Sequence, residues 1–196
     1  MSSTNRGAER RERDFYPTPA KATKALLDWA HNSVDDINLV MASVLDPCAG
    51  DGAILRVARE FGCARLAYEI RPECRESLDI VTHPWRVTIG DALAIKLDLF
   101  PVDAVITNPP FSLSREFIDA YRDRAPFAAF LLPLNFLASQ KRAAWWIANP
   151  PAHVLVLPFR PSFTGDGKTD SVDYGWFVWR QGTPRGNTQL DWLVSP

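Results

Sequence analysis

Short apolar runs alternate with amphipathic stretches along most of this chain. The apolar runs have the length of strands and lie at residues 44–45, 65–70, 85–89, 102–107, 127–134, 154–157 and 174–179. Stretches between them place apolar residues three or four apart, which predicts helices at residues 19–32, 53–61, 73–80, 114–124 and 139–148. Strands that alternate with helices indicate an α/β fold with a doubly wound sheet. From residue 180 onwards we expect a turn and a short tail.

The fourth apolar run ends abruptly in the sequence Asn108-Pro109-Pro110-Phe111. Proline has no N–H for a sheet ladder and disfavours helix in the residue before it, so the strand is expected to stop at Thr107. A stiff loop at the carboxyl end of a strand lies where open α/β sheets bind ligands. An amide oxygen, backbone carbonyls and a flat ring suit a planar group that carries an amine. From these residues alone, a proline-terminated strand with Asn in a turn is the alternative.

A second loop, with the sequence Asp46-Pro47-Cys48-Ala49-Gly50-Asp51-Gly52, joins the first strand to a helix. Its glycines allow a tight turn and a close backbone approach to a ligand. Glu69 follows about twenty residues later at the tip of the second strand, where it can accept hydrogen bonds from two ribose hydroxyls. Asp91, after the third strand, can accept from an exocyclic amine such as that of adenine. This combination indicates an adenosine-type ligand, although a carboxylate also occurs at strand ends without one.

The two ends of the chain differ in character. Residues 1–14 form a polar, arginine-rich arm that we expect to be solvated and flexible, with phosphate contact as the alternative. We expect residues 15–196 to form a single domain. The polar loop at residues 159–173 is long and has little predicted structure of its own, which is typical of functional loops.

The composition narrows the classes of function. A net charge of -1, from 22 basic and 23 acidic residues in 196, gives no overall field for nucleic acid, so local patches would have to hold it. The three cysteines form no CxxC pair and the three histidines lack metal-ligand spacing, so we predict reduced thiols and no metal site. No apolar run is long enough to span a bilayer. We therefore expect a cytoplasmic protein without membrane contact, and its oligomeric state stays open.

The chain resembles the S-adenosylmethionine-dependent DNA adenine-N6 methyltransferases in which the cofactor motifs precede the catalytic one. The resemblance covers roughly residues 14–180 and rests on four motifs in the family's order. They are Asp14-Phe15-Tyr16-Pro17-Thr18-Pro19, the glycine loop at residues 46–52, the acids Glu69 and Asp91, and Asn108-Pro109-Pro110-Phe111. The resemblance implies a class I methyltransferase fold, with a mostly parallel, seven-stranded Rossmann-like sheet and an antiparallel last strand.

It also implies a role for each matching residue. The cofactor, S-adenosyl-L-methionine, would contact Phe15, Tyr16, Thr18, Pro19, Asp46, Cys48, Gly50, Gly52, Glu69, Ile70, Asp91, Ala92 and Asn108. The catalytic residues would be Asn108, Pro109, Pro110 and Phe111. Candidate substrate contacts are Phe163, as a second ring on the base, together with Lys168 and Ser112. The expected partner is DNA, either as a duplex with a flipped adenine or as a single strand.

Members of this family that recognise a defined DNA sequence usually carry a separate recognition domain, and we expect none within these 196 residues. We therefore expect low sequence specificity or a short site, and the small size looks like the reduced enzymes of phages and mobile elements. The Asn-Pro-Pro-Phe tetrapeptide is shared with enzymes that methylate glutamine side chains or RNA bases. A protein glutamine or an RNA adenine is thus the alternative substrate, and a non-catalytic binding protein with a cofactor-type fold is a more remote alternative.

Overall fold

The computed structural model describes residues 17–33, 42–94, 101–163, 169–183 and 186–194. The arm predicted at residues 1–14 lies outside the described residues. So do three of the predicted contacts, Phe15, Tyr16 and Lys168.

Eight strands within these ranges form one sheet, in the spatial order β3-β2-β1-β4-β5-β7-β6-β8. Their bounds are β1 Ser43–Asp46, β2 Ala64–Glu69, β3 Val87–Ile89, β4 Ala104–Thr107, β5 Phe127–Pro133, β6 His153–Val156, β7 Tyr174–Arg180 and β8 Gln189–Trp192. Strand β7 runs antiparallel to β5 and β6, and the other pairs are parallel. The order of the strands reverses between β1 and β4, which is the position where open α/β sheets form a ligand crevice.

Helices cover both faces of the sheet. On one face lie α1 Ala20–Ser33, α2 Ala53–Glu60 and α3 Arg75–Val81, and on the other lie α4 Ser114–Tyr121 and α5 Ala143–Ala148. Successive residues of β5 point alternately into these two layers, with Phe127 and Ala129 in the first and Ala128 and Phe130 in the second. Six of the seven residues of β5 are buried, as expected for a strand that is covered on both sides.

The predicted fold class is confirmed, including the antiparallel strand at Tyr174–Arg180. The predicted count of seven strands is wrong, because a short strand forms where we expected only a tail. Strand β8 pairs in parallel with β6 at the edge of the sheet. All four of its residues are exposed, so its side chains carry almost no burial pattern, and its backbone hydrogen bonds to β6 define it.

Smaller differences concern where elements begin and end. The predicted strand at residues 85–89 begins only at Val87, because Pro84–Arg86 forms a 3-10 turn that leaves Trp85 63% exposed. The predicted helix at residues 139–148 is a 3-10 turn, Gln140–Arg142, followed by α5. No helix in the described ranges combines the length and the apolar character needed to cross a bilayer.

Candidate active site

The carboxyl ends of β1, β2 and β4 border a cleft that is open to solvent on one side. The cleft sits where the strand order reverses, and the residues that follow β3 and those that precede α1 complete its lining. Its lining consists of Pro17, Thr18, residues 46–51, Ala53, Ile54, residues 69–71, 90–92 and 108–111, Leu113 and Phe117.

Glu69 pins the glycine loop to the tip of β2. Its Oε2 accepts a hydrogen bond from the backbone N–H of Gly50 at 2.7 Å. Gly50 has a φ of 57°, a left-handed conformation that glycine adopts without strain. The Glu69 side chain is only 4% exposed, so this contact holds the loop in a fixed position at the floor of the cleft.

Arg71 makes three further hydrogen bonds to the same carboxylate. Its backbone N–H and its Nε donate to Oε1 of Glu69 at 2.9 and 2.8 Å, and its Nη2 donates to Oε2 at 3.1 Å. Burial raises the pKa of Glu69, but these bonds, the charge of Arg71 and the Gly50 amide outweigh it and leave the pKa below its ordinary value. Glu69 is therefore a carboxylate at neutral pH.

Asp46, at the end of β1, is a second buried carboxyl group, and its pKa is shifted in the opposite direction from that of Glu69. It is 1% exposed, and its Oδ1 accepts from the backbone N–H of Cys48 at 3.0 Å. Burial, with a smaller contribution from the negative charge of Glu69, raises the pKa of Asp46 to about 7 against hydrogen bonds that favour the charged form. Burial also raises the pKa of the Cys48 thiol well above its usual range, so this thiol stays protonated at neutral pH.

The segment Asn108–Phe111 lines the same cleft as the glycine loop. It leaves β4 after Thr107, and a 3-10 turn begins at Phe111. The turn is tied back to the segment, because the N–H of Leu113 donates to the Pro110 carbonyl at 2.9 Å. The loop predicted at this position is therefore present, and all four of its residues line the cleft.

Tyr174 of β7 supports the Phe111 ring from the core. The two ring centroids are 5.8 Å apart, and the ring of Phe163 meets Tyr174 edge-on at 5.1 Å. The Tyr174 hydroxyl donates to Asp170 at 2.8 Å. The described ends of the loop between β6 and β7 are thus connected to the Asn108–Phe111 segment through one aromatic side chain.

Asp91 and Ala92 close the cleft beyond β3. Asp91 is exposed, and its Oδ1 accepts from the N–H of Leu93 at 2.9 Å. The carbonyl of Ala92 accepts from the hydroxyl of Tyr121, a fully buried residue of α4, at 2.8 Å. This contact anchors the turn after β3 to the opposite helix layer.

Comparison with known proteins identifies the type of fold. No protein-family model and no curated protein matches this sequence. Solved structures do match. A protein from Pyrococcus horikoshii, named as a candidate RNA methyltransferase, has 19% identity and a TM-score of 0.67, over 89% of this chain and 91% of that one. A candidate class I S-adenosylmethionine-dependent methyltransferase from Listeria monocytogenes has 16% identity and a TM-score of 0.68, over 97% and 70%.

The chain has the class I methyltransferase fold. The methyltransferase subunit of a type I restriction-modification system from Streptococcus thermophilus matches as well, with 15% identity and a TM-score of 0.67. That match covers 90% of this chain but only 47% of the subunit. At these identities the likeness is one of fold.

Within this methyltransferase fold, most of the predicted site residues in the described ranges line the one cleft. They are Thr18, Asp46, Cys48, Gly50, Glu69, Ile70, Asp91, Ala92 and all four residues of the Asn108–Phe111 segment. Gly52, Pro19, Ser112 and Phe163 do not line it. Phe163 is 5% exposed and packs in the core against Tyr174, so its role as a second ring on the base stays a prediction.

Gly52 faces a neighbouring helix instead of the cleft. It has a φ of 85° and precedes α2, and a Cβ atom on it would lie 2.5 Å from Cγ2 of Val81 in α3. The glycine loop therefore uses Gly50 at the cleft and Gly52 for helix packing.

Two residues that are important to the site, Arg71 and Tyr174, are not among those predicted from the sequence. Arg71 follows Glu69 by two positions and precedes Pro72, a spacing that could have suggested a turn closed on the acid. The support of Phe111 by Tyr174 depends on the pairing of β5 with β7, and local sequence does not specify it. No cluster of three metal-binding side chains occurs among the described residues.

Proposed function

We propose that this chain transfers a methyl group from S-adenosylmethionine to the exocyclic N6 amine of adenine in DNA, with low or short sequence specificity. The observation that carries the proposal is the position of two groups in a single cleft. The Asn108–Phe111 segment and the loop pinned by Glu69 border the same space, although they belong to different strands. The glycine loop and Glu69 suit an adenosine-type cofactor, and the Asn108–Phe111 segment suits an amine on a planar ring.

The described residues fit S-adenosylmethionine. Glu69 is an ionised acceptor for the ribose, and Asp91 lies across the cleft as an acceptor for the adenine amine. The methionine end would lie against the glycine loop, beside Asp46 and Thr18. The carboxylates also suit the positive charges of this cofactor. Its sulfonium supplies an activated methyl group when it is bound.

The catalytic segment would act by orientation. The adenine amine donates its two N–H groups to Oδ1 of Asn108 and to the carbonyl of Pro109, which directs the nitrogen lone pair towards the cofactor side. The Phe111 ring stacks on the base, worth about 1–3 kcal/mol by comparison with other stacked bases. After transfer, the amine loses its extra proton to solvent, so the chain needs no strong general base.

The matched proteins support a nucleic-acid substrate without deciding which one. Two carry names that refer to RNA methylation or to restriction-modification, and the latter favours DNA. An RNA adenine or a protein glutamine would be held by the same segment.

The substitution Asn108→Ala tests the proposal. We expect it to lower the methylation rate by about a hundredfold or more, since it removes a positioned acceptor at the reacting amine. Cofactor affinity measured by calorimetry should change little. Asn32→Ala, which removes the same amide group from the end of α1, is the matched control and should keep the wild-type rate.

The substrate is identified by incubating the protein with labelled S-adenosylmethionine and, in parallel reactions, with duplex DNA, single-stranded DNA, RNA or whole-cell protein. Label in N6-methyladenine of DNA is the expected result. Label only in RNA or protein would overturn the DNA assignment, and normal turnover by Asn108→Ala would overturn the mechanism.

A further inference from the structure

The Glu69 carboxylate has no acceptor position to spare. It receives four hydrogen bonds, two on each oxygen, from the Gly50 amide and from the backbone and side chain of Arg71. A carboxylate has about four lone-pair positions. The ribose of the proposed cofactor therefore cannot bind Glu69 unless one of these donors leaves.

Only the side-chain donors can leave without a movement of the backbone. The amides of Gly50 and Arg71 belong to the backbone at the end of β2 and in the glycine loop, and their movement would dismantle the floor of the cleft. The guanidinium group of Arg71 can rotate away about its own side-chain bonds. Arg71 lines the cleft and retains 11% exposure of its side chain, so there is an open side towards which it can move.

The two donors that Arg71 presents match those of a ribose. Its Nε and Nη2 form a fork that donates one hydrogen bond to each carboxylate oxygen. The 2′- and 3′-hydroxyls of a ribose are likewise two neighbouring donors on one rigid frame. The guanidinium group and the diol thus satisfy the same two acceptor positions.

We infer that Arg71 is a built-in competitor for the ribose site, so that it sets the affinity for the cofactor by occupying Glu69 until the ribose hydroxyls displace it. This inference rests on the proposed cofactor site. Removal of an ordinary pocket residue weakens ligand binding, whereas removal of the Arg71 guanidinium group should tighten binding of the cofactor.

The test measures ligand affinity by calorimetry at pH 8. Arg71→Met keeps much of the side-chain length but cannot donate. We expect it to bind S-adenosylhomocysteine about threefold to tenfold more tightly than wild type, since the ligand no longer displaces two hydrogen bonds. The affinity for adenosine should rise by a similar factor, whereas the affinity for 2′,3′-dideoxyadenosine, which lacks the hydroxyls, should not change.

Two further variants separate this effect from a change in stability. Arg75→Met breaks a similar ion pair, with Asp79 in α3 outside the cleft, and should leave all affinities unchanged. If circular dichroism shows that Arg71→Met is unfolded, Arg71→Lys decides, because lysine keeps the charge but loses the fork. It should bind S-adenosylhomocysteine about twofold more tightly.

The possible outcomes lead to different conclusions. Unchanged or weaker binding by a folded Arg71 variant overturns the inference, as does an equal gain for dideoxyadenosine. If wild-type protein does not bind S-adenosylhomocysteine at all, the proposed cofactor site is wrong, and the inference is wrong with it.

Discussion

Two carboxyl groups in the same cleft have opposite charge behaviour because their partners differ. Glu69 is held ionised by Arg71 and two backbone amides, while Asp46 is buried with fewer compensating donors and has a pKa of about 7. Burial favours the neutral form of an acid, and only sufficient donors reverse that preference. Asp46 is therefore the group in this cleft whose charge changes near neutral pH.

This difference predicts a pH dependence of cofactor binding. Without ligand, Asp46 is mostly neutral at pH 6 and mostly ionised at pH 8, because its pKa is about 7. A cationic ligand favours the ionised form, so affinity for S-adenosylmethionine should rise about tenfold over this interval. Calorimetry at pH 6 and pH 8 measures the affinity of the wild type and of Asp46→Asn. Any pH dependence that remains in the variant comes from titration of the ligand itself. An equal pH dependence in both proteins would remove Asp46 from the cofactor site.

At the scale of elements, the start of α2 shows how one loop serves two purposes. Gly50 turns towards Glu69 at the cleft, and Gly52, two residues later, turns towards α3. Both have positive φ, and Gly52 is confined by the side chain of Val81 in α3. The position of the loop thus depends on close packing between α2 and α3.

We predict that Gly52→Ala lowers the free energy of unfolding by about 2–4 kcal/mol, from backbone strain together with overpacking against Val81. Gly182→Ala is the matched control, since Gly182 has a similar φ of 80° but no atom within 4 Å of its added Cβ. It should cost only about 1–2 kcal/mol, from strain alone. Urea denaturation measures both, and equal losses would show that packing against α3 contributes nothing.

At the scale of the whole molecule, the site exists because the strand order reverses between β1 and β4. Helices on opposite faces then diverge at this point, and loops from four parallel strands meet over the gap. A ligand in this cleft contacts the glycine loop, the tip of β2 and the Asn108–Phe111 segment together. Binding should therefore stabilise the fold as a unit.

We predict that S-adenosylhomocysteine, at about 100 times its Kd, raises the melting temperature by about 5–10 °C, which corresponds to about 2.7 kcal/mol of linkage. Glu69→Ala should lose most of this rise, measured against its own ligand-free melting temperature. Glu76→Ala removes the same charge from the exposed side of α3, and its rise should equal that of wild type. A full rise in Glu69→Ala would exclude Glu69 from ribose binding.

Local sequence was sufficient for most of the architecture. The period of apolar residues distinguished strands from helices, and proline placed the end of β4 at Thr107 because it cannot extend a sheet ladder. Prediction failed at β8, where Leu190 and Trp192 alternate with polar residues but the run is only four residues long and all four are exposed. Trp85 was assigned to a strand because its ring is apolar, yet it lies exposed in a turn that Pro84 begins.

The sequence by itself determined the fold class and the chemical types of most candidate site residues, because periodicity, proline and glycine act over a few neighbouring residues. Tertiary structure alone decided that Arg71 occupies Glu69, that Gly52 packs on α3 and that Tyr174 supports Phe111. Two of these contacts join residues that are far apart in the sequence, and the third depends on which rotamer a buried charge adopts. Such choices follow from the packing of the complete sheet and its helices, which no local stretch of sequence specifies.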